Sequence, residues 1–218
     1  MPRQVKSKER VANFGEVFTN EREVNAMLDL VKYETENIES TFLEPACGDG
    51  NFLSEILKRK LDIVKSRYKK NRENYERYSI IAVSSIYGVD ILQDNVEACI
   101  LRLFNIWNDE YTNICKRSSN KYARDAVKHI LKRNILCGDA LTLLNNDGTP
   151  IIFPEWKLLS PNSFLIKRRD YELSEMLKEK DNSLELERIS EKWEYDELTH
   201  EYMLKPVKEE IIDYRMVN

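Results

Sequence analysis

Eight positions in three short stretches carry side chains and turns suited to holding a nucleoside. Glu44, Ala46, Gly48 and Asn51 fall in FLEPACGDGNFL (42–53), Asp90 and Ile91 end IYGVDI (86–91), and Asp139 and Ala140 lie in NILCGDAL (134–141). Glycines let a backbone turn sharply and come close to a ligand, and the amides of the following helix then point at it. A carboxylate closing a second strand suits two ribose hydroxyls. One closing a third strand suits the exocyclic amine of an adenine. The gap from the glycines to Asp90 is about twice the usual ~20 residues. Each residue also has a plainer use: Asp90, Asp49 and Asn51 as helix caps and Asp139 as a turn residue. Three acidic strand ends in this order favour a cofactor with an adenosine portion.

The elements that must position these residues follow from hydrophobic spacing. Residues 20–36 open on a capping asparagine and place Val24, Met27, Leu28 and Val31 on one helical face. Residues 40–46 form a short strand ending at Glu44. Residues 50–68 form a helix with Phe52, Ile56, Leu57, Leu61 and Val64 inward. The polar tract 69–77 has no apolar order and is expected as a surface excursion that absorbs the surplus before Asp90, tolerant of deletion. Residues 86–91 form a second strand. A second long helix turns Val96, Cys99, Ile100, Leu103, Phe104 and Trp107 inward, and a third, 120–133, leads into the strand at 134–141. This alternation predicts an α/β fold with a parallel sheet flanked by helices. Beyond Leu144, IIFPEW and SFLIKRR read as a small hairpin, and the charged remainder as partly helical or loosely ordered. The organisation expected is an N-terminal helical segment (1–41), a cofactor-binding core (42–149) and a C-terminal extension (150–218).

Bulk composition narrows the function classes. The 218 residues carry a formal net charge of −4, so the overall balance does not announce a nucleic-acid binder. The basic clusters at 3–10 and 166–170 read as solvated surface. Four widely spaced cysteines and two distant histidines give little support to a metal site or a Cys–His nucleophile. Reduced thiols, no signal peptide and no long apolar run point to a cytoplasmic protein outside the membrane.

GEVFTN (15–20), followed by EPACGDGNF, IYGVDI and NILCGDAL, resembles the S-adenosylmethionine half of bacterial adenine-N6 DNA methyltransferases. The likeness is to the modification subunits of restriction systems in the gamma motif order, and it covers residues 11–144. It implies a partial Rossmann-like methyltransferase sheet and S-adenosyl-L-methionine as cofactor. Thr19, with Phe18 beside it, matches the segment that closes over the methionine carboxylate. Glu44 and Ala46 would line the methionine moiety, with Gly48 and Asn51 at the turn and helix start. Asp90 would take the ribose hydroxyls, Ile91 would pack on the adenine, and Asp139, followed by Ala140, would accept from its amino group. Asn20 departs from the family, which has proline there.

The family's catalytic signature, Asp/Asn/Ser-Pro-Pro-Tyr/Phe/Trp at the end of a fourth strand, has no counterpart in this sequence, which contains no Pro-Pro dipeptide. That loop accepts both protons of the adenine amine and stacks on the flipped base. FPEW (153–156) and SPNSF (160–164) lack its spacing and read as hairpin turns. A chain ending after the third strand would leave residues 42–44 as a raw apolar edge, which soluble proteins avoid. Either the segment after Pro150 folds back as extra strands or another polypeptide completes the sheet. The resemblance thus implies the cofactor-binding subunit of a split methyltransferase. A second subunit would bring the catalytic loop, the rest of the sheet and target recognition, and the low net charge fits affinity for the phosphate backbone residing on it. The alternatives are a non-catalytic S-adenosylmethionine-binding regulatory or scaffold module, or the same chemistry on RNA or a protein amide.

Overall fold

The computed structural model describes residues 7–14, 19–160, 163–177, 193–196 and 201–216. Three short helices, α1 (Lys8–Phe14), α2 (Glu21–Asp29) and α3 (Lys32–Thr35), precede β1 (Phe42–Glu44). Then come α4 (Asn51–Tyr68), α5 (Arg72–Ser84), β2 (Ile86–Asp90), α6 (Gln93–Cys115), α7 (Lys121–Asn134) and β3 (Ile135–Asp139). β1, β2 and β3 are parallel neighbours in sequence order, and β4 (Leu144–Asn145) closes the four-stranded sheet antiparallel to β3. The chain is therefore a mixed α/β protein whose mostly parallel sheet is flanked by helices. Among the described residues no helix is long and apolar enough to cross a membrane.

The sheet's two faces are covered differently. Successive residues of a strand point to opposite faces. Ile86 and Ile135 join Leu53, Leu57, Val96, Cys99 and Leu103 in the large core built with α4 and α6. Tyr87 and Val89 meet Ile151, Phe153 and Leu173 instead. Those residues flank or belong to β5 (Ile152–Leu158), β6 (Leu165–Glu172) and the short α8 (Leu173–Met176). Tyr87 fixes the second layer by donating its hydroxyl to the Pro154 carbonyl (2.6 Å) and meeting the Phe153 ring edge-on. β7 (Trp193–Asp196) and β8 (Glu201–Leu204) pair with each other, and β9 (Lys208–Asp213) joins β6, giving the order β5-β6-β9.

The segment after Pro150 thus folds back, but as a separate antiparallel sheet on one face of the parallel sheet. Among the described residues β1 pairs only with β2. The 42–44 edge stays open, with Leu43 38% exposed.

Five expectations need correction. The charged remainder expected to be partly helical or loosely ordered forms β7, β8 and β9 among its described residues, with only the four-residue α8 helical before them, because its charges pair across strands. Residues 69–77 are no excursion: Asn71 accepts from the Asn74 amide and caps α5, which buries Tyr75, Glu76 and Arg77. Glu76 accepts from Tyr111 (2.6 Å), Asn120 (2.8 Å) and Tyr214 (3.2 Å), so a polar face is buried by hydrogen bonding. The helix expected over 20–36 breaks after Asp29, leaving Met27 and Val31 exposed while Val24 and Leu28 are buried. FPEW lies inside β5 rather than at a turn, with Pro154 tolerated because β5 is an edge strand. The basic cluster at 166–170 is neutralised, not merely solvated. Buried Arg168 pairs with Asp170 and Glu210, while Lys167 and Arg169 pair with Glu209 on β9. SPNSF includes two residues outside those described.

Candidate cofactor site

A cavity of about 600 Å³ opens where β1, β2 and β3 end. Its lining includes Thr19, Glu44, Ala46, Gly48, Asn51, Asp90, Ile91, Asp139 and Ala140, every residue singled out from the sequence except Phe18. Phe18 lies outside the described residues.

The loop after β1 is held from several sides. The Cys47 amide donates to the Val89 carbonyl (2.9 Å), tying the loop to β2. Gly48 and Gly50 have φ of +53° and +88°, the left-handed region that favours glycine. At Gly50 a Cβ would also lie 2.7 Å from the Cys99 sulfur, so α6 leaves no room for a side chain. Gly50 caps α4, whose first amides face the loop. Arg102, reaching across from α6, donates to Asp49 (2.6 Å) and to the Asn51 side-chain oxygen. Asn51 in turn donates to the Thr19 carbonyl (3.4 Å), drawing the N-terminal segment to the cavity wall.

Asp90 serves the protein and the cavity together. Its Oδ1 accepts from the Leu92 amide (2.9 Å) and from Asn95 Nδ2 (3.2 Å), while Oδ2 accepts from the Gly48 amide (3.0 Å). A carboxylate has about four lone-pair sites. Three are filled among the described residues, so one site on Oδ2 remains for a ligand rather than the two expected from sequence. Asp139 is likewise both a turn residue and a cavity residue: Oδ1 accepts from the Leu141 amide (2.8 Å), and Oδ2 has no partner among the described residues. Glu44 is pushed above its ordinary 4.5 by burial, opposed by a hydrogen bond from the Ala46 backbone. The neighbouring Cys99 thiol and burial hold Cys47 in its neutral form.

Sequence reasoning did not single out Leu92, Asn95 and Leu141 in the lining, nor Arg102 behind it. Asn95 has a readable signal in its place in the first turn of a helix five residues after a strand-ending aspartate. Arg102 has none, because its partners are about fifty residues away.

The cavity's charge limits what it can hold. Glu44, Asp49, Asp90 and Asp139 line it, and no lysine or arginine does among the described residues. With Asp49 paired to Arg102, the carboxylates of Glu44, Asp90 and Asp139 suit a ligand bearing hydroxyls, an amine and positive charge. No protein-family model, curated protein or solved structure matches the chain.

Proposed function

We propose that this chain is the S-adenosylmethionine-binding subunit of a split adenine-N6 DNA methyltransferase of the restriction-modification type. The observation that carries the reading is one cavity shared by three consecutive parallel strand ends, lined by carboxylates and, among the described residues, by no basic side chain. S-adenosylmethionine joins a sulfonium cation to a nucleoside without phosphate, so this charge pattern favours it over dinucleotides. The order β1-β2-β3 with the cavity at the carboxyl ends also supports a partial Rossmann-like sheet.

The cavity's features fit this cofactor: among the described residues, an unfilled acceptor site on Asp90 and an unpartnered Asp139 oxygen, with a glycine turn that has no space for a Cβ. Asp90 Oδ2 would hold a ribose hydroxyl and Asp139 Oδ2 the adenine amino group. Ile91, 42% exposed at the cavity, would cover the ring. The amides opening α4 suit the methionine carboxylate, with Thr19 at the wall, and Glu44 and Ala46 flank the methionine chain. Bound there, S-adenosylmethionine supplies an electrophilic methyl group.

Activation of the adenine amine would fall to a second subunit. The open edge of β1 supports this division. The Phe42 amide donates to the Ser85 carbonyl on the β2 side (2.9 Å), so strand alternation turns the Leu43 backbone groups to the open side. A partner strand would satisfy them and cover the exposed Leu43 side chain. It would end beside Glu44 and Ala46, at the cavity mouth. The test is methyl transfer to DNA adenine by this chain alone and with the product of its neighbouring gene. Activity only in the mixture is expected; robust activity of the purified chain alone would overturn the split.

A further inference from the structure

The end of the molecule opposite the cavity concentrates positive charge. α4 and α6 both begin at the cavity and run away from it. α6 has 23 residues, which at about 1.5 Å each places its far end about 35 Å from the site. There the turn from α4 to α5 lies against the turn from α6 to α7: Arg72 donates to Ser118 Oγ (3.2 Å), and the Cys115 thiol to the Arg72 carbonyl (3.8 Å). Residues 67–73 and 116–121 carry seven cationic side chains, Arg67, Lys69, Lys70, Arg72, Lys116, Arg117 and Lys121, against one carboxylate, Glu73. All seven are exposed. Only Lys121 has an ion pair among the described residues, a 3.8 Å contact with Asp125, while Glu73 is engaged by Arg77. The whole chain has a net charge of −4, so everything outside these thirteen positions carries −10.

Helix stability does not account for this placement. Cations near the C-termini of α4 and α6 complement those helix dipoles, which explains Arg67, Lys116 and Arg117. Arg72 and Lys121 open α5 and α7, where a dipole disfavours positive charge. Lys116 adds a second anomaly, since it holds φ +49°, a conformation suited to glycine. The tip also lacks what a lipid surface would need. Tyr122 is the one large hydrophobic side chain there with high exposure among the described residues, too little for insertion. Two adjacent basic turns instead suit a polyanion, whose phosphates such side chains neutralise.

We propose that this tip is a second, sequence-independent contact for duplex DNA, separate from the cofactor cavity. The choice of DNA among polyanions rests on the methyltransferase reading. The tip lies about 35 Å from the cavity, the length of roughly ten base pairs. The tip therefore holds DNA flanking the target and increases the residence of the complex near it.

The test is fluorescence anisotropy of a short duplex of arbitrary sequence with the full chain, titrated across salt concentration. Lys70→Glu with Arg117→Glu, one in each turn, should weaken binding at least about tenfold at about 0.1 M salt. It should also flatten the dependence of log K on log salt by about two, roughly 0.9 for each phosphate that is no longer neutralised. Lys132→Glu with Lys157→Glu changes net charge equally at exposed sites away from the tip and should leave affinity within about twofold. Equal losses in both pairs, no duplex binding by the unmodified chain, or preferential binding to anionic lipid vesicles would each overturn the proposal. Circular dichroism establishes that the variants fold. S-adenosylmethionine binding, measured by calorimetry, should be unchanged in the tip variant. Absence of cofactor binding in the unmodified chain would count against the methyltransferase reading alone.

Discussion

Replacing Asp90 with alanine removes a ligand contact and a structural clamp together, and the two losses can be separated. One lone-pair site on Oδ2 is open to the cavity, so one charge-assisted hydrogen bond to a ribose hydroxyl is at stake. Such a bond is worth about 1.5–3 kcal/mol, or about 10- to 150-fold in affinity. The variant also leaves the Gly48 and Leu92 amides without their acceptor. Both lie in half-buried segments where water can partly replace the carboxylate, so the cost in fold stability should stay near ~2 kcal/mol. Calorimetric titration with S-adenosylmethionine reads the first effect and urea unfolding the second. Asp90→Asn separates them further. The amide keeps an acceptor for Leu92 and so recovers part of the stability, but without charge it should bind cofactor about tenfold more weakly than the native chain. Unchanged affinity in a folded Asp90→Ala variant would refute the assignment of this carboxylate to the ribose.

Gly50→Ala should destabilise the fold by at least about 2 kcal/mol, because φ of +88° and the Cys99 sulfur 2.7 Å from the new Cβ act together; the shift in urea midpoint reads it. Glu76→Ala should cost about 2–4 kcal/mol by orphaning the hydroxyls of Tyr111 and Tyr214 and the Asn120 amide, again by urea unfolding; a loss below about 0.5 kcal/mol would contradict the network. Buried Lys60 is pushed from its ordinary 10.5 down to about 7 by desolvation, against the pull of Glu34. Between these values the unfolded chain binds more protons than the folded one. Stability should therefore rise with pH across about 7 to 10.5, by at most about 1.4 kcal/mol per pH unit, and this contribution to the slope should vanish in Lys60→Met.

How much of this was legible in the sequence depended on where apolar residues do the packing. β2, β3 and helices α4, α6 and α7 bury apolar side chains, and their hydrophobic pattern marked them, as the short apolar run marked β1. The strand-end residues could be placed because they follow directly from those elements. α5 escaped notice because its buried positions include Glu76, Arg77 and Ser79, which are satisfied by hydrogen bonds and leave no hydrophobic period. β9 escaped for a related reason: Lys208, Glu209 and Glu210 read as a solvated charge run until Arg168, Arg169 and Lys167 of β6 lie opposite them. The three donors on Asp90 were likewise beyond reach, since the Gly48 amide comes from another strand's loop 42 positions away.

The central claim is that the acidic cavity takes a cationic nucleoside. It is tested most directly by calorimetric titration of the full chain with S-adenosylmethionine, S-adenosylhomocysteine and NAD in parallel. One saturable site for the first two, with no detectable binding of the pyrophosphate-bearing NAD, is the result predicted from a lining that contains Glu44, Asp49, Asp90 and Asp139 and no basic side chain among the described residues. Preferential binding of NAD, or no saturable binding of S-adenosylmethionine by the folded chain, would contradict it.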